Sequence, residues 1–114
     1  MTNPNRARGT KWENAVTKYL REQGFSEAFR LAPGGSAHAG DVGGVTGWAF
    51  ECRDRQKQDP SKNVRDANSR AVHKGCRWGA AIMKKRDHGV EDGYVLLDLK
   101  TFVDVLRELA RIHH

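Results

Sequence analysis

Cysteine, long apolar runs and known nucleic-acid-reading signatures are all scarce in this chain of 114 residues, and each shortage removes a class of protein. No stretch approaches the ~20 consecutive apolar residues that a membrane-spanning helix needs. The opening MTNPNRARGT carries charge but no apolar segment, so no secretory signal is expected. Only Cys52 and Cys76 are present, at a spacing that suits neither a metal knuckle nor a disulfide framework. Two reduced thiols in an intracellular, cytoplasmic setting are the expectation. There is no zinc-finger or recognition-helix pattern, no internal repeat and no linker.

What is there is an ordinary globular composition with a basic excess. Apolar residues make up 38% and charged residues 30%, and the formal net charge is +6. A surface of that sign attracts polyanions, nucleic acid before an anionic membrane, against the plain alternative of a solvated basic surface. The length fits one domain with one core. Glycine is frequent, at 12 residues, and much of it lies between residues 34 and 47, which marks a loop or a close approach of backbone.

Residues 1–8 are polar and basic and are expected to form a flexible arm, followed by a single domain over 9–112. Thr10 is expected to open a helix in which Trp12, Ala15, Val16, Tyr19 and Leu20 share one face, with Gly24 at its end. SEAFRLA (26–32) reads as a short strand stopped by Pro33. DVGGV and GWAFECR read as a strand pair turning through Thr46 and Gly47. After Asp59 and Pro60 a helix begins near Ser61, with Val64, Ala67, Ala71 and Val72 inward and Gly75 closing it. WGAAIMK has the near-continuous apolar character of a central strand. KKRDHGVED is an exposed turn, GYVLLDL a further strand, and from Lys100 a last helix carries Phe102, Val103, Leu106, Leu109 and Ala110 on one stripe. The order α-β-β-β-α-β-β-α predicts one α/β domain with a central mixed sheet flanked by helices.

The chemistry-bearing residues cluster in GGSAHAGDVGGVTGWAFECRDR. Strand side chains alternate, so Trp48, Phe50 and Cys52 point one way while Ala49, Glu51 and Arg53 point the other. Asp41 begins the preceding strand and reaches Glu51 if the two strands pair. Glu13 on the first helix is a third carboxylate. Carboxylates converging beside a cation make a hard-oxygen site suited to Mg²⁺ or Mn²⁺. Such an ion activates water and neutralises charge on a phosphate. Each residue also has an ordinary explanation: a cross-strand salt bridge for Glu51, a turn for Asp41, and a capping box for Thr10 with Glu13. Trp12, Trp48 and Trp78 read as packing; His38, His73 and His88 read as solvated, although His38 sits where a proton shuttle could.

The segments RGTKWENAVTKYLREQGF, GGSAHAGDV and WAFECRDR together resemble the PD-(D/E)XK nuclease superfamily, and more closely its small Holliday junction resolvases of archaea and phages. The motif resemblance covers residues 8 to about 55; beyond that it rests on the order of elements. It implies a restriction-endonuclease-like core and Mg²⁺-dependent hydrolysis of DNA phosphodiesters, with Mn²⁺ as a substitute. It further implies that Asp41, Glu51 and the carbonyl of Cys52 hold the ion, with Glu13 acting through water. Ser36, Arg8 and Lys11 would contact DNA, and Arg55, Lys57 and Lys62 flank the same site. The motif's usual lysine is Arg53 here. Arginine stays protonated, so it can steady a phosphate or a water but cannot be a general base. Lys57 or Lys74 could take that role, or none is needed. Basic residues at Arg6, Arg65, Arg70, Arg77, Lys84, Lys85 and Arg86 extend the positive surface, and readout of DNA shape rather than base sequence is expected.

The expected activity is structure-selective cleavage of four-way or other branched DNA. Two opposed cuts imply a homodimer, with the last helix or the strand before it as interface. The alternatives are a nickase or duplex endonuclease, and a DNA-binding module that has lost its chemistry.

Overall fold

The computed structural model describes residues 4–31 and 41–113, with side chains described from Arg8 onward and not for Asp41. Ser36, His38 and most of the glycine-rich turn therefore lie outside the described residues, as does the side chain of Arg6.

Helix α1 (Pro4–Glu22) begins at Pro4, a residue suited to a first helical turn, and not at Thr10. Residues 4–8, expected as an arm, are thus helical in backbone, and Thr10 sits inside the helix rather than capping it. Thr17 donates its hydroxyl back to the Glu13 carbonyl at 2.8 Å. The helix ends as the sequence indicates: Gly24 has φ 102° and Phe25 N–H bonds the Leu20 carbonyl at 2.9 Å.

The strands are β1 (Phe29–Arg30), β2 (Asp41–Gly43), β3 (Trp48–Arg53), β4 (Trp78–Met83) and β5 (Tyr94–Leu96), in that spatial order. β3 and β4 run parallel, and the other neighbours are antiparallel. Helix α2 (Pro60–Lys74) makes the β3-to-β4 crossover, a short 3-10 helix (Val90–Asp92) precedes β5, and α3 (Leu99–Ile112) ends the chain's regular structure. The architecture is the single α/β domain with a mixed sheet that the sequence order predicts.

Alternation on β3 divides the two faces. Phe50 and Cys52 join Trp12, Val16, Val42 and Ala80 in the core under α1, and Trp12 Nε1 donates to the Ile82 carbonyl at 3.0 Å. Glu51 and Arg53 face α2. That helix is capped by Asp59, which accepts from Lys62 N–H, and closed by Gly75 in the left-handed conformation. Its inward line is Asn63, Ala67 and Ala71. Val72, expected on that line, is 83% exposed, because one helical step of ~100° beyond Ala71 turns it to the outside. α2 lies so close to β4 that a Cβ on Gly79 would stand 2.4 Å from the Ala67 carbonyl oxygen, which fixes glycine there.

α3 is different from the other two helices. None of its residues is buried, and Leu99, Phe102, Leu106, Leu109 and Ile112 are all among the exposed large apolar side chains. Polar contacts hold it to the domain. Arg77 bonds Asp104 (2.8 Å) and Glu108 (2.9 Å), Trp78 Nε1 donates to Asp104 (2.8 Å), and Asn68 donates to Asp98 (2.8 Å). No helix among the described residues is long and apolar enough to cross a membrane.

Candidate metal and DNA site

The site is built on the antiparallel β2–β3 pair and on the adjoining face of α2. In the register of that pair, Asp41 is directly opposite Glu51. Directly opposed residues share a sheet face, with Cβ atoms about 4.5–5.5 Å apart. On its other side Glu51 is opposite Ala81 of β4, which is fully buried and small. The backbone thus sets the two predicted acidic positions together.

Glu51 is a carboxylate at 1% exposure, and it is held between two guanidinium groups. Its Oε2 accepts from Arg53 Nη1 at 2.8 Å, and its Oε1 accepts from Arg70 Nε at 3.0 Å. The same Arg53 Nη1 also donates to the Cys52 carbonyl oxygen at 3.1 Å, while Arg53 Nη2 reaches Asp66 at 3.2 Å. Lys62 bonds the other side of this chain of charges, 2.9 Å from Asp66. Burial opposes the charge on Arg53, but the Glu51 and Asp66 carboxylates outweigh it and hold the guanidinium above its ordinary pKa. Asp66 is held below the usual carboxylate range, chiefly by the Lys62 hydrogen bond and then by Arg53, against a burial cost.

The remaining predicted positions separate. Cys52 keeps its thiol in the core under α1, and its carbonyl oxygen is the atom that meets Arg53. Glu13 is buried on α1 and pairs with Arg30 of β1 at 2.8 Å. Arg30 is opposite Val42, a core residue of the α1 face, so this ion pair sits on that face while the Glu51 cluster sits on the face of α2. Arg8, Lys11, Arg55 and Lys57 are exposed, and Lys62 is exposed although paired to Asp66. Lys84 and Arg86 of the basic turn lie 3.9 Å and 3.2 Å from the buried carboxylate of Asp54, so part of that group's charge is already countered. His73 and His88 are exposed as expected, with His88 beside Asp92.

Asp66 and Arg70 are the members that sequence reasoning did not place at the site. A signal for them exists: Lys62, Asp66 and Arg70 recur every four residues, which puts a plus–minus–plus stripe on one side of α2. Among the described side chains no group of three or more His, Cys, Asp or Glu converges. The donor set nevertheless suits a hard cation. A carboxylate oxygen and a backbone carbonyl oxygen already share one positively charged nitrogen, opposite a second acidic position.

No protein-family model, no curated protein and no solved structure matches the chain.

Proposed function

We propose that the chain is a metal-dependent, structure-selective endodeoxyribonuclease that hydrolyses phosphodiesters in branched DNA, four-way junctions first. The observation that carries this reading is the direct opposition of Asp41 and Glu51, next to the Cys52 carbonyl and a guanidinium. Asp41, Glu51 and the Cys52 carbonyl would hold Mg²⁺, with Mn²⁺ as a substitute. The ion, when bound, supplies an activated water and neutralises charge on the phosphate. Arg53, anchored through Asp66, steadies the scissile phosphate with its planar fork. Glu13 has a separate task in this proposal: it fixes Arg30 and so ties α1 to the edge of the sheet.

The net charge of +6 supports a phosphate-bearing substrate. Arg8, Lys11, Arg55, Lys57 and Lys62 are the exposed cations assigned to its backbone. The setting is intracellular, in keeping with two cysteines that form no disulfide. A second copy of the chain is the partner assigned to α3. Leu99, Phe102, Leu106 and Leu109 follow the alternating three- and four-residue spacing by which helices interdigitate. With Ile112 they expose on the order of 500 Å² per copy, a large part of the ~800 Å² per partner of a standard interface.

One observation favours a second reading, a DNA-binding module without chemistry. Glu51 is neutralised on both oxygens by arginines, as a purely structural ion pair would be. A cleavage gel decides between the two. A four-way junction, a flap and a linear duplex of shared sequence are incubated with Mg²⁺, with EDTA, and with the Asp41→Asn protein. Junction cutting that needs both Mg²⁺ and Asp41 supports the nuclease. Equal cutting of all three substrates removes the structural selectivity, and tight junction binding without any cutting favours the second reading.

A further inference from the structure

The place of Arg53 has a consequence beyond steadying phosphate. Its Nη1 sits between Glu51 Oε2 (2.8 Å) and the Cys52 carbonyl oxygen (3.1 Å), the same two oxygens assigned above to the divalent ion. We infer that Arg53 is the built-in competitor for that ion, so that metal binding is an exchange of cations rather than an addition. The inference rests on the metal-site reading and adds a regulatory element to it.

Glu51 is almost wholly buried, and a lone carboxylate there would bear a heavy desolvation cost. The fold supplies the counter-charge itself, through Arg53 on one oxygen and Arg70 on the other. A cation and a guanidinium nitrogen cannot share one pair of oxygens, so an entering ion displaces Nη1. The displaced group has somewhere to go. Its Nη2 already bonds Asp66 on α2, and Arg53 retains 14% side-chain exposure, enough to turn toward a phosphate at the surface. A DNA phosphate that receives the guanidinium lowers the cost of the exchange. Metal and DNA therefore favour each other's binding, by the reciprocity of linked equilibria. Arginine suits this part better than lysine, since its fork spans Glu51, the Cys52 carbonyl and Asp66 at once.

The test uses the full chain after EDTA stripping, with Mn²⁺ alone as the probe and free Mn²⁺ followed by electron paramagnetic resonance. Arg53→Gln removes the competitor and should tighten Mn²⁺ binding by about tenfold, while Glu51→Gln should abolish it. Should Arg53→Gln bind Mn²⁺ no more tightly than the wild type while Glu51→Gln still abolishes binding, the exchange is wrong and the metal site stands. Unchanged Mn²⁺ binding in Glu51→Gln removes the metal site itself. Since Arg53→Gln could unfold, a second measurement uses the unaltered protein. The side-chain ¹⁵N resonances of Arg53 are followed through a Mg²⁺ titration. They should shift with the same midpoint as Mg²⁺ binding measured by calorimetry; Mg²⁺ binding that leaves them in place overturns the exchange.

Discussion

Asp41 and Glu51 stand directly opposite each other across the β2–β3 pair. On the Glu51 side of that pair an arginine nitrogen already supplies the counter-charge. Asp41→Asn and Glu51→Gln should each cut junction cleavage by at least about a hundredfold. With EDTA present, both should leave DNA binding intact or tighter, since a negative charge facing phosphate is lost, whereas the Mg²⁺-dependent gain in DNA affinity should disappear. Glu51→Gln should also lower stability by roughly 3 kcal/mol, because Arg53 and Arg70 lose their shared carboxylate. Cleavage gels, a filter-binding assay and thermal denaturation read these effects separately.

Position 53 tests whether a cation alone suffices. Arg53 bonds three acceptors with two nitrogens, and a lysine ammonium on a single point cannot span Glu51 and Asp66 together. Arg53→Lys should keep cleavage at about a tenth of the wild-type rate, and Arg53→Ala should lose at least about a hundredfold. Equal rates for the lysine variant and the wild type would show that the fork geometry is dispensable. The comparison is made as single-turnover rates at saturating Mg²⁺.

Much of the sheet was legible because its signals are local. The period-two alternation of WAFECR put Cys52 in the core and Glu51 on the other face, and Gly24 and Gly75 ended their helices through positive φ. Val72 and the start of α1 were not legible. The first depends on which line of α2 meets β4, set by the close contact of Gly79 with Ala67, and the second on a proline that serves as well inside a first turn as before it. At the site, the pairing of Asp41 with Glu51 followed from two adjacent strands. The Arg30 partner of Glu13 and the Arg70 partner of Glu51 are contacts between elements 17 and 19 residues apart, which no short motif encodes.

Acid should unfold the protein through a small set of carboxylates. Asp66 is held below its usual pKa chiefly by Lys62, and Asp98 by the Thr101 hydroxyl and then the Thr101 backbone N–H that it caps, with Asn68 adding to it. A folded-state pKa below the unfolded one means the stabilisation is complete above the ordinary carboxylate range. It is lost as pH falls through the depressed folded values. The melting temperature should therefore hold steady near neutrality and drop on acidification below about pH 4. Asp98→Ala should cost about 1 kcal/mol at neutral pH through the lost cap, and should flatten part of the acid slope. A melting series from neutral to acid pH on both proteins checks the sign.

α3 supplies the last prediction, because its exposed apolar stripe is the surface assigned to the proposed second copy. Leu106 lies at the middle of the line Leu99, Phe102, Leu106 and Leu109, so a charge there meets its own counterpart in a two-fold pair. Leu106→Glu should turn a dimer into a monomer in analytical ultracentrifugation while leaving the far-ultraviolet circular dichroism unchanged. Junction cleavage should then lose its paired cuts and leave nicks. Salt gives an independent check. An interface of apolar side chains owes little to Coulombic attraction, so the dimer should hold between low and moderate ionic strength, whereas DNA binding weakens over the same range. A wild-type chain that stays monomeric at tens of micromolar in moderate salt would remove the second copy as the cover of α3.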